Sequence, residues 1–366
     1  MSQDTAPARR VIGVEEHAWT PELRRALLRW GGDATVNKMS SRGEVNLRLL
    51  DVGEERLARM DVSGVDMEVL SITTPGTQPL PPQVAVPLAR EANDVLADAV
   101  RRHPDRFAAF ATLPTSDPQA AAAELERAVT GLGHVGAMLF PRTGETYLDH
   151  ASFRPVFEAA AHLGVPLYIH PAMPPRKLID IAYSGFDEMT GLLLSTGGWG
   201  WHSEAGLATL RLILAGTLDR HPDLQIILGH WGEMLVPFAD RADLLSTAAP
   251  HLQRRVLDYI TGNLAVTAGG LYSHRMLGAA WTCWAPTGSC SARTPPTAPP
   301  QQATVKSTVV SAASTPAARS ADRGAPAPSS TTPRSTSKAG TSSATSTPNV
   351  SSASPGPLTP ERQTHA

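Results

Sequence analysis

Short apolar runs alternate with helical patterns from residue 11 to residue 267, and this alternation constrains the fold more than any other feature of the chain. The predicted strands are 11–16, 65–71, 107–112, 136–140, 165–169, 225–229 and 264–267. The predicted helices between them are 54–63, 84–102, 118–130, 153–163 and 205–221. Strands that alternate with helices form a parallel sheet, and seven of them favour a barrel over an open sheet. The sequence therefore predicts an α/β fold, a (β/α)8 TIM-type barrel that lacks its eighth strand unit.

Three of the predicted strands carry histidine at their C-terminal ends. Glu15 and His17 lie two residues apart on the first strand, so they share one face of it. Two later strands lead directly into His170 and His230. A capping or core role explains each histidine alone. Their common position at strand ends predicts instead a shared site at the mouth of a barrel, because (β/α)8 barrels carry their active sites at the C-terminal ends of the strands.

Composition excludes several classes of function. The net charge of -2 and the pI near 6.6 give no electrostatic basis for a nucleic-acid partner or an anionic membrane surface. No apolar run reaches the ~18 residues of a membrane span, and the first residues do not resemble a signal peptide. We therefore expect a soluble, cytoplasmic protein. Because the cysteines, Cys283 and Cys290, come late in the chain, an earlier metal site must use nitrogen and oxygen ligands.

The character of the chain changes near Trp284. Residues 285–366 contain no Phe, Trp or Tyr and consist largely of Ser, Thr, Pro and Ala. Such a segment cannot bury enough apolar surface to offset the entropy of ordering it. The predicted organisation is a flexible N-terminus at 1–10, a barrel domain at 11–280 and a disordered tail at 281–366.

The genetic code suggests an origin for this tail. When Trp281–Thr294 is back-translated and read from one base earlier, the codons permit Leu-Asp-Val-Leu-Gly-Ala-Asp-Arg-Val-Leu-Phe-Gly-Thr-Asp. That peptide has the form of a helix end, a turn and a strand that ends in aspartate, as an eighth barrel unit requires. Our hypothesis is that the chain is frameshifted near Ala280 and that the tail is out-of-frame translation of a GC-rich gene. A genuine low-complexity tail is the alternative, and sequencing the gene across this junction separates the two.

Eight segments, in their order and spacing, resemble the amidohydrolase-related metal-dependent decarboxylases. This group includes aminocarboxymuconate-semialdehyde decarboxylase and the γ-resorcylate and 2,3-dihydroxybenzoate decarboxylases. The segments are 14–17 (Val-Glu-Glu-His), 57–66, 69–76, 92–97, 103–107, 112–114, 165–171 and 229–233 (Gly-His-Trp-Gly-Glu). The likeness covers residues 11–280, and its Glu-Glu-His start is most similar to the hydroxybenzoate decarboxylase branch.

The resemblance implies roles for individual residues. Glu15, His17 and His170 match the metal ligands of the family, and this carboxylate and imidazole set suits Zn²⁺ or Mn²⁺. His230 and Glu233 match a second, catalytic histidine and the carboxylate that orients it and tunes its proton affinity.

Two further positions bear on the resemblance. Arg241 matches an arginine near the substrate in related enzymes, although a surface charge on a helix is an equally good interpretation. The remaining metal ligand of the family is an aspartate at the end of strand eight, which also serves in proton transfer. This chain has no such residue; the matching aspartate occurs in the alternative frame, across the codons of Arg293 and Thr294.

The implied activity is non-oxidative decarboxylation of a hydroxylated aromatic or related unsaturated carboxylic acid, a small-molecule substrate, by a homo-oligomer. His230 would relay protons in that reaction. A second possibility is metal-dependent hydrolysis of an ester, lactone or amide with His230 as general base. A third is that the chain is an inactive, truncated barrel because the strand-eight aspartate is missing.

Overall fold

A computed structural model describes residues 10–31, 43–271 and 273–284. Within them, parallel strands form two sheets, in the orders β1-β2-β3 and β10-β9-β8-β5-β4. The strands are β1 (Ile12–Ala18), β2 (Met67–Ile72), β3 (Phe107–Ala109), β4 (Ala111–Thr112), β5 (Ala137–Leu139), β6 (Arg142–Thr143), β7 (Thr146–Tyr147), β8 (Leu167–Ile169), β9 (Ile226–Leu228) and β10 (Leu264–Val266). β6 and β7 form a separate antiparallel hairpin. Each predicted strand overlaps an observed one, and the arrangement is consistent with a TIM-type barrel.

One short segment of chain joins the two sheets, because it forms an edge strand of each. β3 pairs with β2, and β4, which begins two residues after β3 ends, pairs with β5. Only Phe110 separates β3 from β4, and its side chain is buried with Val69, Met138 and Tyr168. These residues form an apolar cluster between the strands, separate from the larger clusters that the strands make with the helices.

Helices connect the strands, as the alternation predicts. They are α1 (Pro21–Ala26), α2 (Gly43–Leu50), α3 (Glu54–Ser63), α4 (Pro82–Arg102), α5 (Pro118–Leu132), α6 (Arg154–Leu163), α7 (Arg176–Ala182), α8 (Glu188–Ser195), α9 (Gly200–Leu214), α10 (Thr217–Arg220), α11 (Ala239–Ala242), α12 (Val256–Asn263) and α13 (His274–Trp284). A π-helical turn covers Leu27–Gly31, and 3-10 turns cover Ala151–Phe153, Val236–Phe238 and Asp243–Thr247.

One predicted helix differs from the structure. The segment 205–221 is not continuous, because it divides between α9 and α10 at Gly216, whose φ of 68° is left-handed. A left-handed residue cannot continue a right-handed helix, and glycine adopts that conformation at little cost. α5, by contrast, begins where it was predicted, with Pro118 in its first turn and the Asp117 side chain accepting a hydrogen bond from the Ala120 amide at 3.1 Å.

A bulge in β1 directs the first candidate residues inward. In the pairing with β2, Gly13 lies opposite Glu68 and Glu16 lies opposite Leu70, so β1 holds one residue more than its partner over this stretch. The extra residue shifts the alternation of side chains. Val14 therefore packs in the apolar cluster with Tyr168, while the next residue, Glu15, also points inward and accepts a hydrogen bond from the Tyr168 hydroxyl.

Of the four edge strands in the two sheets, β3 and β4 follow each other in the chain, whereas β1 and β10 lie at the far edges. Between residues 10 and 284, apart from the gaps stated above, β1 pairs with β2 alone and β10 with β9 alone. α13 continues to Trp284, four residues past the predicted boundary at 280, and both Cys283 and Trp284 pack against the main apolar cluster. The N-terminal segment predicted at 1–10, apart from Arg10, and the tail predicted at 281–366, apart from 281–284, lie outside the described residues. No described helix is long and apolar enough to cross a membrane.

Candidate active site

Four predicted residues converge at the C-terminal ends of β1, β8 and β9. The Oε1 atom of Glu15 lies 3.7 Å from Nε2 of His17, 3.2 Å from Nε2 of His170 and 3.4 Å from Nε2 of His230. The Nε2 atoms of His17 and His170 are themselves 3.1 Å apart. Three imidazoles therefore direct the same ring nitrogen toward one carboxylate oxygen.

The first three of these residues fit a divalent metal ion. Glu15, His17 and His170 each offer one ligand atom, and these atoms lie within 4.8 Å of one another. With metal–ligand bonds near 2.1 Å, neighbouring ligand atoms are about 3.0 to 3.4 Å apart, close to the separations found here. The tautomer of His170 also suits metal binding, because its Nδ1 lies 2.7 Å from the Pro171 carbonyl oxygen and must donate a hydrogen bond to it. Its Nε2 lone pair is then free to bind a cation.

Neighbouring side chains hold this set in place. The Tyr168 hydroxyl donates to Oε2 of Glu15, which leaves Oε1 to face the imidazoles. Nδ1 of His17 lies 3.2 Å from Oγ of Ser71, on the adjacent strand. The sequence pattern predicted neither partner, although Tyr168 lies on β8 two residues before His170, and the period of two places both side chains on the same face. Such partners fix ring orientation and raise the affinity of a site for metal.

The electrostatics of these residues favour an ionised carboxylate at Glu15 and a protonated imidazole at His230. Burial raises the pKa of Glu15, but the nearby imidazoles of His230, His17 and His170 lower it more, so its pKa lies well below the ordinary value. Burial also lowers the pKa of His17. The pKa of His230 is lowered by burial but raised further by the carboxylates of Glu15 and Glu233, to about 9. The cluster thus holds an ionised carboxylate next to a proton-bearing imidazole.

A left-handed turn brings His230 and Glu233 together. Five consecutive residues, 230–234, have positive φ, with 48° at His230 and 51° at Glu233. Non-glycine residues seldom adopt this conformation, and it costs on the order of 1 to 3 kcal/mol at each. In return, Nδ1 of His230 donates to Oε1 of the fully buried Glu233 at 2.7 Å, so Nε2 of His230 faces Glu15.

His202 is a further member of the site that the sequence did not reveal. It lies on α9, 28 residues before His230 in the chain, and its Nδ1 is 2.7 Å from Oε2 of Glu233. Nothing in the local pattern of α9 distinguishes it from a surface histidine, because the contact depends on how α9 packs against the turn.

Arg241 is separate from this cluster. It lies on α11 and is exposed to solvent. Within the described part of the chain, no hydrogen bond or ion pair joins it to the four converging residues, so its predicted role near the substrate stays a prediction.

Replacing Gly229 by alanine should disrupt the site. A Cβ atom there would lie 2.6 Å from Oε2 of Glu15 and 2.6 Å from the Tyr168 hydroxyl oxygen. We expect loss of metal binding and a fall of about 1 to 3 kcal/mol in the free energy of unfolding, the range for overpacked interiors. Metal analysis and denaturant unfolding measure both effects.

Gly131→Ala is the matched control for that substitution. A Cβ at Gly131, inside α5, meets nothing within 4 Å. It should keep the metal and raise the free energy of unfolding by roughly 0.5 to 1 kcal/mol, the helix preference of alanine over glycine. Equal metal binding in the two variants would contradict the packing described around Gly229.

Comparison with known proteins identifies the family. Residues 46–285 match the amidohydrolase family. γ-Resorcylate decarboxylase of Rhodococcus jostii (strain RHA1) is 37% identical over 249 residues, which cover 64% of this chain and 74% of that protein.

Two solved structures are similar over 75% of this chain. 5-Carboxyvanillate decarboxylase of Novosphingobium aromaticivorans, complexed with manganese and 4-hydroxy-3-methoxy-5-nitrobenzoic acid, has a TM-score of 0.69 at 33% identity and is covered over 83% of its chain. A dihydroxybenzoic acid decarboxylase of Polaromonas sp. JS666, with bound manganese and the inhibitor 2-nitroresorcinol, has a TM-score of 0.65 at 33% identity over 82% of its chain. The chain therefore belongs to the amidohydrolase family, as an enzyme of its carboxy-lyase type, related to the γ-resorcylate decarboxylases.

Proposed function

We propose that this site decarboxylates a hydroxylated aromatic acid with a divalent metal ion held by Glu15, His17 and His170. The observation that carries the proposal is the convergence of imidazole Nε2 atoms on Oε1 of Glu15, at 3.2 to 3.7 Å. The solved relatives that hold manganese and nitrated or hydroxylated aromatic ligands support this substrate class and favour Mn²⁺ over Zn²⁺.

The reaction replaces a carboxylate by a hydrogen atom. A proton is added to the ring carbon that carries the carboxylate, the bond to that carboxylate breaks, and its electron pair returns to the ring as CO2 leaves. A divalent ion, when bound, supplies Lewis-acid stabilisation of negative charge on the substrate oxygens. An ortho hydroxyl next to the carboxylate gives the substrate a second oxygen for the same site.

His230 and Glu233 handle the proton in this scheme. With a pKa raised to about 9, His230 holds a proton at neutral pH, and the Nδ1 bond to Glu233 directs its Nε2 into the cluster. His230 can therefore deliver or relay a proton at Nε2. Glu233 acts through His230 and not on the metal-binding residues; it orients the His230 imidazole and stabilises its charged form.

Arg241 is proposed to bind the substrate carboxylate when a substrate is present. Arg241→Ala should then raise KM about 10-fold and leave kcat and manganese content unchanged, since removal of uniform binding changes KM alone. Arg102→Ala, at the exposed end of α4, is the control and should change neither constant. If the two variants have the same KM, Arg241 is only a surface charge.

The eighth strand unit of the barrel depends on the reading frame of the gene near Ala280. We propose that residues 11–280 are the in-frame barrel domain, that the chain from 281 is out-of-frame, and that the restored frame supplies the strand-eight aspartate as a further metal ligand. In the relatives' family that aspartate also takes part in proton transfer, so the unrestored chain is proposed to have little or no activity. We also propose that the intact protein is a homo-oligomer, which light scattering would measure.

Hydrolysis is the competing activity for the same residues, because a metal-activated water with His230 as base needs a similar site. The test is a panel of 2-hydroxybenzoates and of aryl esters and lactones, given to the manganese-loaded, frame-restored protein. Release of CO2 from a hydroxybenzoate supports decarboxylation. Turnover confined to the esters or lactones would replace it with hydrolysis.

A further inference from the structure

Glu233 bridges two imidazoles, one on each carboxylate oxygen. Its Oε1 accepts from Nδ1 of His230, and its Oε2 lies 2.7 Å from Nδ1 of His202. The two imidazole rings are 4.7 Å apart between centroids. Because Glu233 is fully buried, each of its oxygens needs a partner, and His202 is the partner of the second.

The charge of Glu233 determines where the hydrogen of the His202–Glu233 bond lies. Nε2 of His202 is on the far side of the ring, 3.2 Å from the carbonyl oxygen of Gly197. Burial raises the pKa of Glu233, but His230 and the hydrogen bonds from His202 and His230 lower it more. Glu233 is therefore ionised, and the hydrogen that it shares with His202 lies on Nδ1. His202 is a charge-assisted donor to Glu233.

The packing of α9 creates this contact. Gly206 lies four residues after His202, one helical turn along the same face. A Cβ at Gly206 would collide with the backbone carbonyl oxygen of Glu233, so only glycine lets α9 approach the left-handed turn this closely. The helix thus brings His202 against the carboxylate while the turn presents His230 on its other side.

We infer that His202 is a positioning residue for the decarboxylation proposed above. It holds the Glu233 carboxylate so that Oε1 keeps its bond to Nδ1 of His230, and it thereby fixes the direction of Nε2 of His230 toward Glu15. The inference rests on the proposed function for its effect on turnover, but the hydrogen bonds themselves do not depend on it.

A second metal ion explains these contacts less well. His202, His230 and Glu233 do offer three ligand atoms within 4.8 Å. However, both nitrogen–oxygen separations are 2.7 Å, which is a charge-assisted hydrogen-bond distance and is shorter than the ~3.0 Å between two ligands of one ion.

Two conservative substitutions separate the contacts of His202. In His202→Asn, the amide nitrogen can take the place of Nδ1 and keep the bond to Glu233. In His202→Gln, it can take the place of Nε2 and keep the contact with Gly197 instead. We expect His202→Gln and His202→Ala to lower kcat about 10- to 100-fold, the usual effect of losing such a partner, with KM and manganese content unchanged. His202→Asn should restore most of kcat.

Nuclear magnetic resonance of the histidine ring nitrogens, on the same frame-restored protein that is used for the kinetic measurements, tests the inference without catalysis. The Nδ1 proton of His230 should give a downfield signal that persists in His202→Asn and shifts or disappears in His202→Gln and His202→Ala. If the His230 signal responds to the three variants as expected but no CO2 is released, the proposed function is wrong and the positioning role of His202 stands. An unchanged signal in all variants, equal impairment of the Asn and Gln variants, or loss of one bound equivalent of added manganese chloride in His202→Ala would each overturn the inference.

Discussion

His170→Ala should abolish manganese binding and lower the rate of decarboxylation at least about 1,000-fold in the frame-restored enzyme. His170 supplies a buried Nε2 whose lone pair is set by the Nδ1 bond to Pro171, and that nitrogen lies 3.2 Å from Oε1 of Glu15. Metal stabilisation of charge is worth several kcal/mol, and each 1.36 kcal/mol is a factor of ten in rate. Metal analysis and an assay of CO2 release measure the two losses.

Two other histidine substitutions make this prediction specific. His162→Ala, on the exposed face of α6, should keep both metal and rate. His230→Ala should keep the metal and lose rate, because His230 is proposed to carry a proton and not the ion. Full manganese occupancy in His170→Ala would remove His170 from the metal site, and loss of the ion in His230→Ala would make His230 a ligand.

Restoring the reading frame at Ala280 should convert a poorly soluble chain into a soluble, cooperatively unfolding one. Strand eight of a closed barrel pairs with strands one and seven and so removes both sheet edges. Among the described residues, β1 and β10 each pair on one side alone. Unpaired edges next to apolar side chains promote aggregation. The restored chain should therefore gain a free energy of unfolding of about 5 to 15 kcal/mol, typical of a native domain.

A chain that ends at Trp284 is the control for frame restoration. It removes the tail but does not add the proposed eighth strand, so it should aggregate as much as the full chain does. Sedimentation and denaturant unfolding compare the three proteins. If the unrestored chain is soluble, unfolds cooperatively, binds metal and is active, both the frameshift and the need for the strand-eight aspartate are wrong.

The sequence predicted the strands and the converging residues because both follow from local patterns. Apolar runs between helical segments located each strand of the array, and the position of Glu15, His17, His170 and His230 at strand ends predicted their shared site. Period two also placed Glu15 and His17 on one face, although the bulge that turns Val14 and Glu15 both inward depends on pairing with β2.

The remaining features depend on contacts between distant parts of the chain. His202 reaches Glu233 only because α9 packs against the turn at 230–234, and no pattern within α9 reports that. Tyr168 gains its role from the approach of Glu15 across the strands. α7 and α8, which follow His170, were not predicted, since their segment lacks a regular apolar periodicity.

The most direct test of the central claim is the turnover of a 2-hydroxybenzoate in D2O by the manganese-loaded, frame-restored protein. We expect one CO2 released per substrate consumed and one deuterium at the ring carbon that carried the carboxylate, with the reaction stopped by a chelator and restored by Mn²⁺. An enzyme with one manganese ion per chain that leaves every hydroxybenzoate of the panel intact would contradict it.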